Sequence, residues 1–274
     1  MAQTKLTASC NHNYQLCQDV RKFVVDEIAP VISDVHDDKA RSDWKRVRAI
    51  ECVYTRILKW LVSLEKLNQT HDVQAIGTGA RCIFEHYLDL RWFKQFPADD
   101  YLEKFVAFPI IDRYSAAKRV VDYKTGNPKS AIDVTAHQNL MKNLDSQKEP
   151  PTATVVRLWG TDKNGKPKWP RDHWTGEGNL RDRAKKLGID CEDTYIQMYP
   201  VLCALVHPGA GPMMGDFEWQ EKQVGYGYFY AFHHSWEATE LVIGMLGIEA
   251  RISKLNSFKL NLAQWLEDAA SAAP

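Results

Sequence analysis

The stretch Trp44-Lys-Arg-Val-Arg-Ala-Ile-Glu-Cys-Val-Tyr-Thr-Arg-Ile-Leu-Lys-Trp-Leu-Val-Ser-Leu64 decides the fold class. Val47, Ile50, Tyr54, Ile57, Leu58, Leu61 and Leu64 recur every three or four residues, which gathers them into one apolar stripe on a helix. Ser42 or Asp43 stands where such a helix needs its N-cap. A helix of this length reads as a strut of a bundle.

Outward from it the same period persists. Leu16, Val20, Phe23, Val24 and Ile28 predict a first helix that Pro30 kinks or ends. A third helix is expected from Asp72 or Thr78 to Phe96, its first turns weakened by Gly77 and Gly79. A fourth carries Leu102, Phe105, Ile111, Tyr114, Ala117 and Val121, with Pro109 as a kink; a loop at 123–129 and a weaker helix from Ala131 to Leu144 follow. Around residues 147–175 the pattern breaks down, and Asn164-Gly165 suggests a small hairpin or an irregular excursion. Gly178–Leu187 reads as a short basic helix and Asp190–Val206 as an apolar one. A long helix from Tyr226 to Leu255 and an amphipathic tail with Leu262, Trp265 and Leu266 complete the chain. The expected fold is all-α, a multi-helix bundle in one domain over residues 1–274, with the helix in 1–40 peripheral and 147–175 an insertion or lid.

Composition excludes several classes. The 274 residues hold 35 Lys and Arg against 35 Asp and Glu, so the whole chain offers no strongly basic surface to nucleic acid. The balance is local: Thr152–Lys186 carries Arg157, Lys163, Lys166, Lys168, Arg171, Arg181, Arg183, Lys185 and Lys186 against Asp162, Asp172, Glu177 and Asp182. No apolar run approaches the roughly 20 residues of a membrane span, and Met-Ala-Gln-Thr-Lys lacks the apolar region of a signal peptide. A cytoplasmic location is expected, without a membrane partner. Six dispersed cysteines with no Cys-x-x-Cys pair predict reduced thiols.

Two segments carry chemistry-bearing residues. Tyr195–Val206 delivers His207 to a helix end that Pro208, Gly209, Gly211 and Pro212 terminate. The carbonyl end of a helix favours a charged imidazole, so His207 is a candidate for handling a proton or an anion; its bland alternative is a C-terminal cap. In Arg81-Cys-Ile-Phe-Glu85-His86, Arg81 and Glu85 share a face of an otherwise apolar helix and can pair, either structurally or at a cleft. His233 and His234 are adjacent and so point from different faces, a poor metal pair, and Cys10-x-His12-x4-Cys17 is a weak one. No metal or cofactor is expected. Gly-x-Gly-x-x-Gly, P-loop, Gly-x-Ser-x-Gly and His-Glu-x-x-His motifs are absent.

Arg81 with Glu85 four positions on, Trp174-Thr-Gly, Arg181-Asp-Arg183-Ala, and a Tyr-rich helix ending in Val206-His207-Pro208 resemble a bacterial all-helical family of unknown function with HEPN-like character. The resemblance covers roughly Trp44 to Gly244 and is sharpest from Trp174 to His207. Broader HEPN-like proteins include metal-independent ribonucleases, often toxins or phage-defence effectors, that use an Arg-x4–6-His motif; Arg81 and His86 match that spacing. Glu85 departs from it, since a carboxylate repels phosphate. Two functional readings follow, the first of them implied by the resemblance. One is RNA cleavage with His207 or His86 as acid and base, Arg81 on the phosphorane charge, and Arg181 and Arg183 guiding the backbone. The other is a non-catalytic module in which Arg81, Glu85, Tyr199 and His207 fix a pocket, lined by Trp174, for a small anionic ligand or a partner protein; association as a homodimer is a separate expectation. A third reading makes these residues a network tying helices together.

Overall fold

The computed structural model describes residues 8–38, 41–67, 69, 72–206 and 217–271. Among them the regular structure is helical, with one isolated antiparallel bridge, Thr161 to Pro167, and no strand. None of these helices is long and apolar enough to cross a membrane, and no disulfide forms among the described residues. The chain divides into two compact units: residues 1–95 with 187–274, and residues 96–186.

The first unit opens with α1 (Ala8–Phe23), a π-helical turn (Val24–Ile28) and α2 (Ala29–Asp37). Pro30 sits in the first turn of α2, where its missing N–H is not needed, and the π-turn before it realigns the backbone, Ala29 N–H bonding Val24 O. Leu16, Val20, Phe23, Val24 and Ile28 are all buried. α3 (Trp44–Leu64) follows, then α4 (Val73–Gln95), α9 (Ile189–Val206), α10 (Phe217–Leu246) and α11 (Leu255–Ser271). On α3 the stripe Val47, Ile50, Tyr54, Ile57, Leu61 and Leu64 is buried, with Val53 added. Full burial of each such side chain stabilises by roughly 1.5–3 kcal/mol.

α4 is the pivot. It runs antiparallel to α3, as the Arg46 bond to the Phe93 carbonyl at 2.7 Å and the seating of Gly79 on Leu64 record. It runs parallel to α10, since Ile76 meets Gly227 and Phe84 meets His234. A Cβ at Gly227 would stand 2.6 Å from Ile76 Cγ2, so this crossing needs the bare backbone of glycine. Tyr54 of α3 bonds Thr239 of α10 at 2.7 Å inside the core. The long C-terminal helix ends earlier than periodicity suggested: Ile248 N–H returns to Ile243 O, closing α10 before a short 3₁₀ turn (Glu249–Arg251), and α11 is a separate helix whose Phe258 stacks on Phe23 at 4.0 Å.

The second unit holds α5 (Asp99–Gly126), α6 (Thr135–Asp145), α7 (Pro151–Trp159) and most of α8 (Leu180–Leu187). α5 is continuous through Pro109. The stretch 147–175, expected to be irregular, contains α7: Pro151 at its N1 position starts the helix that Thr154-Val155-Val156 obscured. Beyond it the expected turn is present, with Asp162 accepting from the Asn164 and Lys166 amides at 2.8 and 3.0 Å. Asn179 and Asp182 cap α8 reciprocally, Asp182 N–H to Asn179 Oδ1 at 3.0 Å and Asn179 N–H to Asp182 Oδ2 at 3.2 Å.

Candidate functional site

Polar side chains of the first unit concentrate where α9 lies antiparallel on α4. Arg81 and Glu85, four residues apart, stand one turn apart on the side of α4 that meets α9. Arg81 Nε donates to Glu85 Oε1 at 2.9 Å, and its Nη1 reaches Cys203 Sγ at 3.8 Å. Tyr199, one turn before Cys203, donates its hydroxyl to the same Glu85 oxygen at 3.4 Å and places its ring 4.8 Å from the Arg81 guanidinium carbon. Tyr195 stacks on Tyr199 at 4.8 Å. The pair is partly open, with 29% of the Arg81 and 32% of the Glu85 side chain exposed. Burial opposes the Arg81 charge, but the bond and charge of Glu85 outweigh it and raise the pKa. Burial, then the Glu85 charge, raises that of Tyr199. The phenol is neutral and a donor.

Toward the other end of the seam, Arg91 donates to Asp190 Oδ2 at 2.7 Å and to the Tyr87 hydroxyl at 2.9 Å. Burial works against Arg91, and Tyr87 and Asp190 more than offset it. Across from Tyr87, α10 contributes His234, stacked on Tyr87 at 5.3 Å with its Nδ1 3.1 Å from Glu237 Oε2. Burial lowers the pKa of His234. Burial also resists ionisation of Glu237, yet the imidazole contact brings its pKa below the usual range.

The sequence-derived candidates divide. Arg81, Glu85 and Tyr199 come together. His86, on the same helix, is half-buried beside Asp89, 3.7 Å from its carboxylate and beyond hydrogen-bond length; no hydrogen bond or ion pair joins it to Arg81 among the described residues. Trp174, Arg181 and Arg183 belong to the second unit. Trp174 is buried there, edge-on to Phe105 at 5.5 Å and Tyr101 at 6.4 Å, with its carbonyl accepting from Trp159 Nε1 at 3.0 Å. Gly176 holds φ +73° with the Trp159 indole where a Cβ would be, so Trp174-Thr-Gly176 is packed against α7 within this unit. Arg181 is exposed and Arg183 buried. His207 lies outside the described residues. Sequence reasoning missed the Arg91–Asp190 link, 99 positions apart with no local signal, and the His234–Glu237 contact, whose i, i+3 spacing was available.

A model of a family of unknown function, DUF5677, matches residues 48–224. The chain belongs to DUF5677. The match takes in α4 and α9, hence Arg81, Glu85, Tyr199, Arg91 and Asp190, and the whole second unit. It stops within α10 before His233, His234 and Glu237. No curated protein and no solved structure matches this DUF5677 chain.

Proposed function

We propose that this chain is a non-catalytic binding module whose Arg81–Glu85 pair reads a small ligand presenting a hydrogen-bond acceptor and donor side by side. The observation that carries this reading is the state of Arg81: its charge is answered on the spot by Glu85. A guanidinium so paired has little field left for a phosphorane, which weighs against the ribonuclease reading of the HEPN-like resemblance. The pair still offers an edge. Arg81 Nη2 and Glu85 Oε2 have no hydrogen bond among the described residues, one a donor and the other an acceptor. A guanine edge is the simplest complement, its O6 accepting from arginine and its N–H groups donating to the carboxylate.

The test uses the full chain with guanosine as probe, followed by thermal unfolding. Saturation at about 100 times Kd adds roughly 2.7 kcal/mol, a shift of several degrees, and Glu85→Gln removes it. The reading fails if guanosine leaves the midpoint unmoved. It fails equally if single-stranded RNA is cut in EDTA and Arg81→Ala abolishes the cutting, which would establish the nuclease instead.

A further inference from the structure

On α10, His233, His234 and Glu237 follow one another at i, i+1 and i+4. At 100° per residue Glu237 falls between the two histidines, roughly 40° from His233 and 60° from His234, so one carboxylate reaches both. Adjacent histidines on different faces are a poor pair alone; a carboxylate one turn on makes them a triad. The structure places Glu237 Oε2 3.1 Å from His234 Nδ1 and 3.5 Å from His233 Nε2, and one ligand atom of each residue lies within 4.8 Å of the others. Zinc bonds of about 2.0–2.2 Å make tetrahedral edges of about 3.3–3.6 Å, close to the two carboxylate separations, while the two histidine nitrogens, within 4.8 Å of each other, would close onto the ion through the exposed His233 side chain.

The second observation is the other nitrogen of His234. Its Nε2 stands 3.1 Å from Met198 Sδ, a thioether that can only accept. If Nε2 carries the hydrogen, Nδ1 presents a lone pair to a carboxylate oxygen. If Nδ1 carries it, Nε2 presents one to sulfur. Either neutral tautomer leaves acceptor facing acceptor, and a second proton would charge a side chain that is 1% exposed. A cation bound at Nδ1 resolves the conflict, with Nε2–H directed at Met198 as the outer hydrogen bond that metal-bound histidines keep. Tyr87, stacked at 5.3 Å, and Phe84, tilted by 47° at 5.0 Å, hold the ring. Entry is available from the side of His233, which is 47% exposed, and Arg91 nearby has its charge met by Asp190.

We propose that His233, His234 and Glu237 form a binding site for a borderline divalent cation, zinc foremost, with three protein ligands and a fourth position open to water or a ligand. The site is independent of the Arg81–Glu85 pair and of any ligand bound there. Imidazole nitrogen selects zinc over magnesium.

The full chain, stripped with EDTA and desalted, is titrated with zinc against a chromophoric chelator, with cobalt(II) as a spectroscopic stand-in. One equivalent binds, cobalt gives the intense visible bands of a four-coordinate site, and magnesium does not compete. Glu237→Gln and His233→Ala, neither of which empties the core, each weaken zinc by at least about tenfold, whereas His137→Ala on α6 does not. Unchanged zinc affinity in both site variants, competition by magnesium, or the absence of stoichiometric zinc in the wild type would each overturn the assignment.

Discussion

Glu85 accepts two hydrogen bonds through one oxygen while about a third exposed, and this decides how much the Arg81 cluster can stabilise the protein. An ion pair so open to water is screened, and a double-mutant cycle with Arg81→Ala and Glu85→Ala should return a coupling of only about 0.5–1 kcal/mol from urea unfolding. A coupling of several kcal/mol would mean a desolvated structural pair and would favour the tie between helices over a binding edge. His234 sets a pH dependence. Its folded pKa is depressed by burial, so below about pH 6.5 the unfolded chain takes a proton that the folded chain refuses, and stability falls as pH falls. Glu237, also depressed, works in the same direction at lower pH. The titratable groups facing this ring are Glu237, His233 and Tyr230 on α10 and Tyr87 on α4, with Arg91 acting on Glu237. In EDTA the urea midpoint of the wild type should drop between about pH 7.5 and 5.5, and His234→Gln should flatten that slope. Of the site, the Arg81–Glu85 pair was legible because four residues along a helix is one turn. Its Tyr199 partner and the Met198–His234 contact depend on how α9 crosses α4 and α10, which no local pattern encodes.

At the scale of elements, the α4–α10 crossing leaves no room for a side chain at Gly227. In Gly227→Ala the new methyl meets Ile76 Cγ2, a β-branched carbon fixed by its helical rotamer. Overpacking of about 1–3 kcal/mol should exceed the roughly 1 kcal/mol that alanine gains in helix propensity, so the variant loses stability. Adding Ile76→Ala should relieve the clash, making the double variant more stable than the sum of the two changes predicts. A Gly227→Ala protein as stable as wild type would show that the helices can part without loss. The sequence marked the helices well where one face is apolar and the other charged, as on α3. It failed at α7, where three consecutive β-branched residues and a double proline imitate a loop, and at the end of α10, where apolar residues continue past the turn at Gly247. It also took Gly77 and Gly79 as weak points of α4, whereas Gly79 is where Leu64 of α3 packs.

For the whole molecule the question is what the 96–186 segment contributes to the unit that carries both sites. Its boundaries are silent in sequence: Gln95 and Lys186 stand at helix ends like any other, and the units emerge only from which side chains pack together. Within the first unit the chain leaves at the end of α4 and returns at the start of α9, and there Arg91 holds Asp190 at 2.7 Å. The two ends are therefore neighbours without the segment between them. Replacing residues 96–186 by a Gly-Ser linker of about eight residues should preserve α4, α9 and α10 and their bonds. It shortens the loop from roughly 90 residues, lowering its closure entropy cost by about 2 kcal/mol by the logarithmic law. The shortened chain should unfold cooperatively at a urea midpoint no lower than that of the full chain, bind zinc with the same stoichiometry, and keep the guanosine shift. Loss of cooperative unfolding would show that the first unit depends on the second for its fold. Retained folding with loss of the guanosine shift alone would overturn the assignment of that shift to the Arg81–Glu85 edge alone.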